Sequence, residues 1–403
     1  MSKNNNIEKT KNILSRFINW IKNNRLKSFL FIFILGILMR FICLGIYLST
    51  VTADWVDMNE KIWIALSEYL INGINPYGQH YEMNVLDIVN IEDFFQYPPL
   101  TLIVHLPTLL WPGPDRMGLI DFYPSFFIIH IVIDFYTFYR LWKAGYYGTG
   151  ISLWVFFGAL FAMLDFSNFI SIPIMFIVLT YLNMDNAKKS ALYIGLGVAT
   201  YTYLVIPAIF FLIYHYGKDK WNGLKSYIIG LIPAILVILP FLLWNPQTFI
   251  NDIFISQGTR VSGNFLHPYN NLPGENTYWW MHLFSIPPYL NTIYNLIINP
   301  SVPLFIPHLT LVLTGLVLLL TVYYLYKFYK NPFRGKLVYY TLLMTFAIIL
   351  VSAAGYAHLL ALPVTILIFA WDLRKEIFID EYQGDFKPPV VRHQENNIKI
   401  KEK

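Results

Sequence analysis

Residues 53–100 read ADWVDMNEKIWIALSEYLINGINPYGQHYEMNVLDIVNIEDFFQYPPL. The stretch carries Asp54, Asp57, Glu60, Glu68, Glu82, Asp87, Glu92 and Asp93 against one lysine, Lys61. The chain around it is almost wholly apolar. A carboxylate-rich insert of this length exceeds what a connector between two elements needs. It marks a face where polar chemistry gathers, and the apolar runs on either side of it decide the fold class.

Working outward, 56% of the 403 residues are hydrophobic and 13% charged, where a soluble domain carries roughly 25% charged residues. Apolar runs of about 18 or more residues recur, so the chain reads as all-α, a polytopic transmembrane helical bundle. The runs are continuous rather than alternating, which argues against a barrel. A single cysteine, Cys43, excludes internal disulfides and Cys-based metal sites; it reads as a small filler within a span.

Charge decides the sides. Residues 1–27 are polar and basic, lack a signal-peptide pattern, and lead into a span over 28–50. Lys and Arg favour the cytoplasmic side, so the acidic insert falls outside. Further basic clusters lie at Arg140/Lys143, Lys188/Lys189, Lys218/Lys220/Lys225, Lys327/Lys330/Arg334/Lys336 and from Arg374 onward. With all of them inside, spans are predicted over 119–141, 149–165, 168–184, 223–244, 302–326, 337–353 and 357–373. Residues 190–216 are basic at both ends and read as a short up-and-down pair or a re-entrant hairpin. Residues 98–112 are short for a span of about 20 residues and read as half-inserted or tilted on the outer side. The expectation is about ten crossings, both termini cytoplasmic, in a multi-pass protein of the cell membrane. A transmembrane domain over 28–373 carries two large outer loops, 51–118 and 245–301, and a charged tail occupies 374–403. Of the 29 basic residues only Lys61, Arg116 and Arg260 then face outward.

Several residues could carry chemistry, each with a plain structural reading beside it. Asp54 and Asp57 follow the first span directly. They suit an ordinary helix start, or a general base whose pKa is raised by half-shielding among Trp55, Trp63 and Tyr77. Gly73-Ile74-Asn75-Pro76-Tyr77 ends a helix expected over 59–71 with a Gly/Pro stop. Tyr97-Pro98-Pro99 is a stiff entry to the next apolar segment. Arg260 suits a phosphate leaving group, or a surface cation. His267 and Tyr278-Trp279-Trp280 suit sugar stacking, or an interfacial aromatic belt. Arg40 stands halfway along the first span, where ionisable groups are costly. It either pairs with Asp134 to hold the bundle together or reads a lipid phosphate.

The order of acid, helix, G-x-N-P-Y and then Y-P-P-L resembles the GT-C class of integral-membrane glycosyltransferases. It is most similar to the branch of polyprenyl-phosphate-mannose-dependent mannosyltransferases and the GPI mannosyltransferase I catalytic subunit. The close match covers about 50 residues. In that branch an acid lies about sixteen residues before the Gly of the G-x-x-P-Y motif, which here is Asp57, with Asp54 in reserve. Its partner two residues on is Asn59 rather than a second acid, so no cofactor is expected and a divalent metal is not supported. The resemblance implies a GT-C-like fold and an inverting hexosyl transfer on the extracytoplasmic face, most readily of mannose. The donor would be a polyprenyl-phosphate sugar and the acceptor a lipid-linked molecule or glycan. Asn75, Tyr77, Tyr97, Asp165, Asn168 and His267 would bind substrate, and Arg260, Arg40 and His358 the donor phosphate. Residues 199–207 match a stretch that often carries a Lys in the relatives and here has none. Membrane lipids are expected partners; nucleic acid is not. The rival classes are a transporter or flippase of lipid-linked glycan and a polysaccharide polymerase or ligase.

Overall fold

The computed structural model describes residues 16, 19–21, 23–50, 62–79, 81–85, 89–93, 95, 97–110, 119–157, 170–255, 286–301, 306, 308–351 and 360–383. Helices dominate it. α1 (Arg25–Thr50) is the first apolar run. A short helix, α2, covers 62–70, and its Ala65–Leu70 portion is π-helical. Next comes a β-hairpin, β1 (Tyr81–Val85) and β2 (Val89–Asp93), antiparallel with Tyr81 opposite Asp93 and Val85 opposite Val89. The fold is otherwise helical, as expected; the acidic insert adds one short strand pair that the all-α reading does not include. The signal is present but short: Tyr81, Met83 and Val85 alternate with Glu82 and Asn84, and Val89 and Ile91 with Asn90 and Glu92.

The next elements form the centre. α3 (Leu100–His105) runs into a 3₁₀ turn, Leu106–Leu110. α4 (Leu119–Ala144) follows, then α5 (Tyr147–Ile151), which continues as a π-helix over Ser152–Phe157. α6 (Ser171–Leu182) and α7 (Ala187–Val198) form an antiparallel pair, and α8 (Val205–Trp244) leads back from it. α8 is two arms: Asp219 and Lys220 leave helical geometry and break it. The ambiguous 190–216 stretch is therefore α7, a turn, and the first arm of α8. At 12 residues, α7 is about 18 Å long, short of the about 30 Å of a bilayer core. Within 98–112, Leu100–Leu110 is a short apolar helix, whose His105 is buried against Phe126 and His130 of α4.

The remaining helices are α9 (Pro246–Ile250, continuing as a π-helix over Asn251–Ile255), α10 (Ile286–Ile298), α11 (Leu309–Lys330), α12 (Arg334–Val351) and α13 (Ala361–Gln383). Among the described residues, four helices are long and apolar enough to cross a membrane: Arg25–Cys43, Thr202–Trp244, Leu309–Lys330 and Arg334–Val351. Leu311, Val312, Leu316 and Leu319 of α11 are exposed. Large exposed apolar faces are rare on soluble proteins, so this surface is compatible with a membrane protein. α10 is inside-out in the same sense, with Asn291 and Asn295 buried while Ile293 and Ile297 are exposed.

Arg40 settles one of its two readings. It is 1% exposed, and its Nη2 donates to Asp134 Oδ2 of α4 at 2.7 Å. The guanidinium lies 3.9 Å from the Trp154 ring centroid, and Nη1 donates to the carbonyls of Trp154 and Gly36. Trp154 can come this close only because Gly36 has no side chain: a Cβ there would lie 2.1 Å from the indole Nε1. Arg40 thus ties α1, α4 and α5 together. The structural reading, a pair with Asp134, is the one this geometry shows.

The basic connections meet at one end of the bundle. Asp185, in the α6–α7 turn, accepts from Lys218 at 3.4 Å and from Arg334 at the start of α12. Tyr146, just past Lys143, packs on Phe369 at 4.9 Å, and Phe369 on Tyr181 at 5.6 Å. Burial pushes the Asp185 carboxyl up, but Arg334 and then Lys218 outweigh it and hold the group below its usual range.

Candidate functional site

The opposite end gathers the pieces that follow the acidic segment. Gly73 takes φ +72°, a left-handed turn that favours glycine. The Ile74 N–H returns to the Tyr69 carbonyl at 2.9 Å, closing α2. Asn75 Oδ1 then accepts the Tyr77 N–H at 3.0 Å around Pro76, an Asx turn. Tyr77 is driven inward. Its ring meets Phe95, Phe241 and Phe249 with centroids 5.6, 5.8 and 4.9 Å away. Its hydroxyl donates to the Tyr97 carbonyl at 2.7 Å.

Two further segments close on this loop. Gly78, also left-handed at φ +79°, donates its N–H to Asp252 Oδ2 at 2.6 Å. A Cβ on Gly78 would lie 2.7 Å from Thr248, so the loop and α9 can meet only through glycine. Asn245 starts α9 by accepting the Thr248 N–H at 3.3 Å, with Pro246 in the first turn. That cap aims the next turn, and with it Asp252, toward the loop. From the other side, the Leu100 N–H donates to the Ala199 carbonyl at 2.9 Å, and Thr101 Oγ1 to the Thr200 carbonyl at 3.2 Å. The rings of Tyr97 and Tyr201 are 6.4 Å apart. G-x-N-P-Y, Y-P-P-L, the 199–204 tip and α9 thus form one corner.

Of the residues expected to bind substrate, Asn75, Tyr77 and Tyr97 come together here. Tyr77, at 2% exposure, is a buried pin between aromatic rings. Asn75 is 8% exposed and its Nδ2 has no hydrogen-bond acceptor among the described residues. It is a donor held in reserve beside the turn it stabilises. Asp54, Asp57, Asp165, Asn168, Arg260, His267 and His358 lie outside the described residues. The residue that sequence reasoning missed is Asp252, a carboxylate 4% exposed that binds the backbone of the motif loop. In sequence it is one acid in a long polar connection. Its only local signal is the Asn-Pro helix start before it, since its partner is 174 positions away.

The corner pairs a buried carboxylate with a buried amide donor on a loop pinned by aromatic rings. The amide can donate to a hydroxylated ligand, while the carboxylate, which accepts from the Gly78 N–H and Asn251 Nδ2, fixes the loop that carries it. Among the described residues, no group of three or more His, Cys, Asp or Glu stands where it would hold a metal ion. Comparison with protein-family models finds no match, and comparison with curated proteins likewise finds none.

Proposed function

We propose that this chain is a multi-pass glycosyltransferase of the cell membrane, of GT-C type. It would cross about ten times with both termini cytoplasmic. It transfers a hexose, most readily mannose, from a polyprenyl-phosphate donor to a lipid-linked or glycan acceptor on the extracytoplasmic face. The observation that carries the reading is the convergence of the Gly73–Gly78 loop, Tyr97-Pro98-Pro99-Leu100 and Asp252 at the end of the bundle opposite the basic connections. That corner follows the acidic segment of Asp54 and Asp57 directly in the chain. In the proposed step, Asp57 takes the proton of the acceptor hydroxyl. The oxygen attacks the anomeric carbon in line, and the bond from that carbon to the phosphate oxygen breaks with inversion. Arg260 and His358 stabilise the departing polyprenyl phosphate. Asn75 binds the sugar, on the loop that Asp252 holds in place.

The test is transfer from labelled polyprenyl-phosphate mannose in membranes that carry each variant. Asp57→Asn is expected to abolish transfer, and Asp252→Asn to lower it by about tenfold to a hundredfold through lost positioning. Undiminished transfer by both Asp57→Asn and Asp54→Asn would end the proposal. A transporter would place its helix breaks near the bilayer midplane. Here the break in α8 lies beside Asp185, among the basic connections.

A further inference from the structure

The α8 break creates a patch that the proposed chemistry does not use. Lys220 stands at φ 49°, ψ −130°, a backbone conformation that residues with a Cβ rarely adopt. Its Nζ lies 5.7 Å from the centroid of the Tyr216 ring. Tyr216 stacks on Tyr329 of α11 at 6.1 Å and meets Trp221 edge-on at 5.9 Å. On the same end of α11, Lys327 sits 4.7 Å over Tyr323 and Lys330 4.4 Å over Tyr326. The outer rings face outward: Trp221 is 73% exposed and Tyr326 58%. Lys220, Lys225, Lys327 and Lys330 are exposed as well. The nearby acids do not neutralise them. Asp185 is engaged by Lys218 and Arg334, which leaves Asp219 as the one exposed carboxylate of the break itself.

The apolar surface leading into this patch has a direction. Val312, Leu316, Leu319, Tyr323 and Tyr326 recur at helical spacing on one stripe of α11, all exposed, and the stripe ends at Lys330. Aromatic rings of this kind settle at the level of lipid headgroups. Lysines folded over them hold their charge at that same depth. A zwitterionic headgroup supplies no net counter-charge for several ammonium groups; an anionic one does.

We propose that this patch binds an anionic phospholipid. Its headgroup phosphate sits among Lys220, Lys327 and Lys330, and an acyl chain lies along the α11 stripe. The proposal does not depend on the transfer reaction.

The test uses the full-length protein in nanodiscs of phosphatidylcholine. Either brominated phosphatidylglycerol or brominated phosphatidylcholine is added at equal mole fraction. Tryptophan quenching is read as the difference between the native chain and Trp221→Phe, which isolates Trp221. Phosphatidylglycerol is expected to concentrate at the patch by about fivefold for each lysine engaged, so its brominated form quenches Trp221 well beyond the phosphatidylcholine form. The triple change of Lys220, Lys327 and Lys330 to Gln should erase the difference, while the same three changed to Arg should retain it. Lys220→Gln alone should reduce it, which covers the case in which the triple variant does not fold. Equal quenching of the native chain by the two lipids would overturn the proposal, as would a preference that survives in the Gln variants.

Discussion

Tyr77 shows how one side chain can anchor a loop that sequence reads only as a turn. Its hydroxyl bond to the Tyr97 carbonyl joins the two halves of the motif region, and its ring fills a box of phenylalanines. Tyr77→Phe keeps the ring and loses one buried hydrogen bond, so the expected loss is about 1 kcal/mol, read by thermal unfolding in detergent. Tyr77→Ala should cost about 3–5 kcal/mol, because it adds a cavity. Equal losses for the two would mean that the ring is not packed as described. Asp185 carries a pH prediction. Its carboxyl is held below the usual range in the folded chain. It therefore contributes stability above its unfolded value of about 4, and the contribution disappears as pH falls through the lower, folded value. Nearly half of the side chain meets solvent, so screening limits the contribution to about 1 kcal/mol or less. Asp185→Asn should lower the melting temperature slightly at pH 7, and that deficit should shrink as pH falls below about 4. A deficit that does not shrink at all on acidification would exclude the ionic origin.

At the scale of elements, α1 is held by a polar bolt inside an apolar wall. Arg40→Ala leaves the largely buried Asp134 carboxylate without its cation, and a broken buried pair of this kind typically costs about 3–5 kcal/mol. Replacing Arg40 by Met and Asp134 by Leu together should cost much less than the sum of the two single changes. A double-mutant cycle by denaturant unfolding measures the difference, and additive losses would show that the two groups do not interact. Gly36→Ala tests the packing that brings Trp154 to Arg40. The added methyl collides with a rigid indole, so a loss of about 1–3 kcal/mol is expected.

At the scale of the molecule, polar groups are segregated. The motif corner sits at one end of the helices and the Asp185 corner at the other. With Cys43 replaced by Ser, a cysteine placed at Ile74 should react with a membrane-impermeant maleimide in intact cells. One placed at Asn186 should react only after the membrane is opened. The reverse pattern would invert the proposed topology and with it the face on which transfer occurs.

Composition and charge, without any coordinates, determined that this is a chain of apolar helices with polar groups sorted to opposite ends. Those properties follow from local hydropathy and from where Lys and Arg stand along the chain. The Arg40–Asp134 pair was legible too, because two costly ionisable groups in neighbouring apolar helices have few other ways to be satisfied. The glycine stop at Gly73 was likewise a local matter. Only the tertiary structure decided that Tyr77 pins the loop to Tyr97, that Lys220 breaks α8, and that Asp252 reaches the Gly78 backbone. Each of these depends on which distant segments become neighbours. Helical periodicity tells which side of an element is apolar, but not which other element will lie against it.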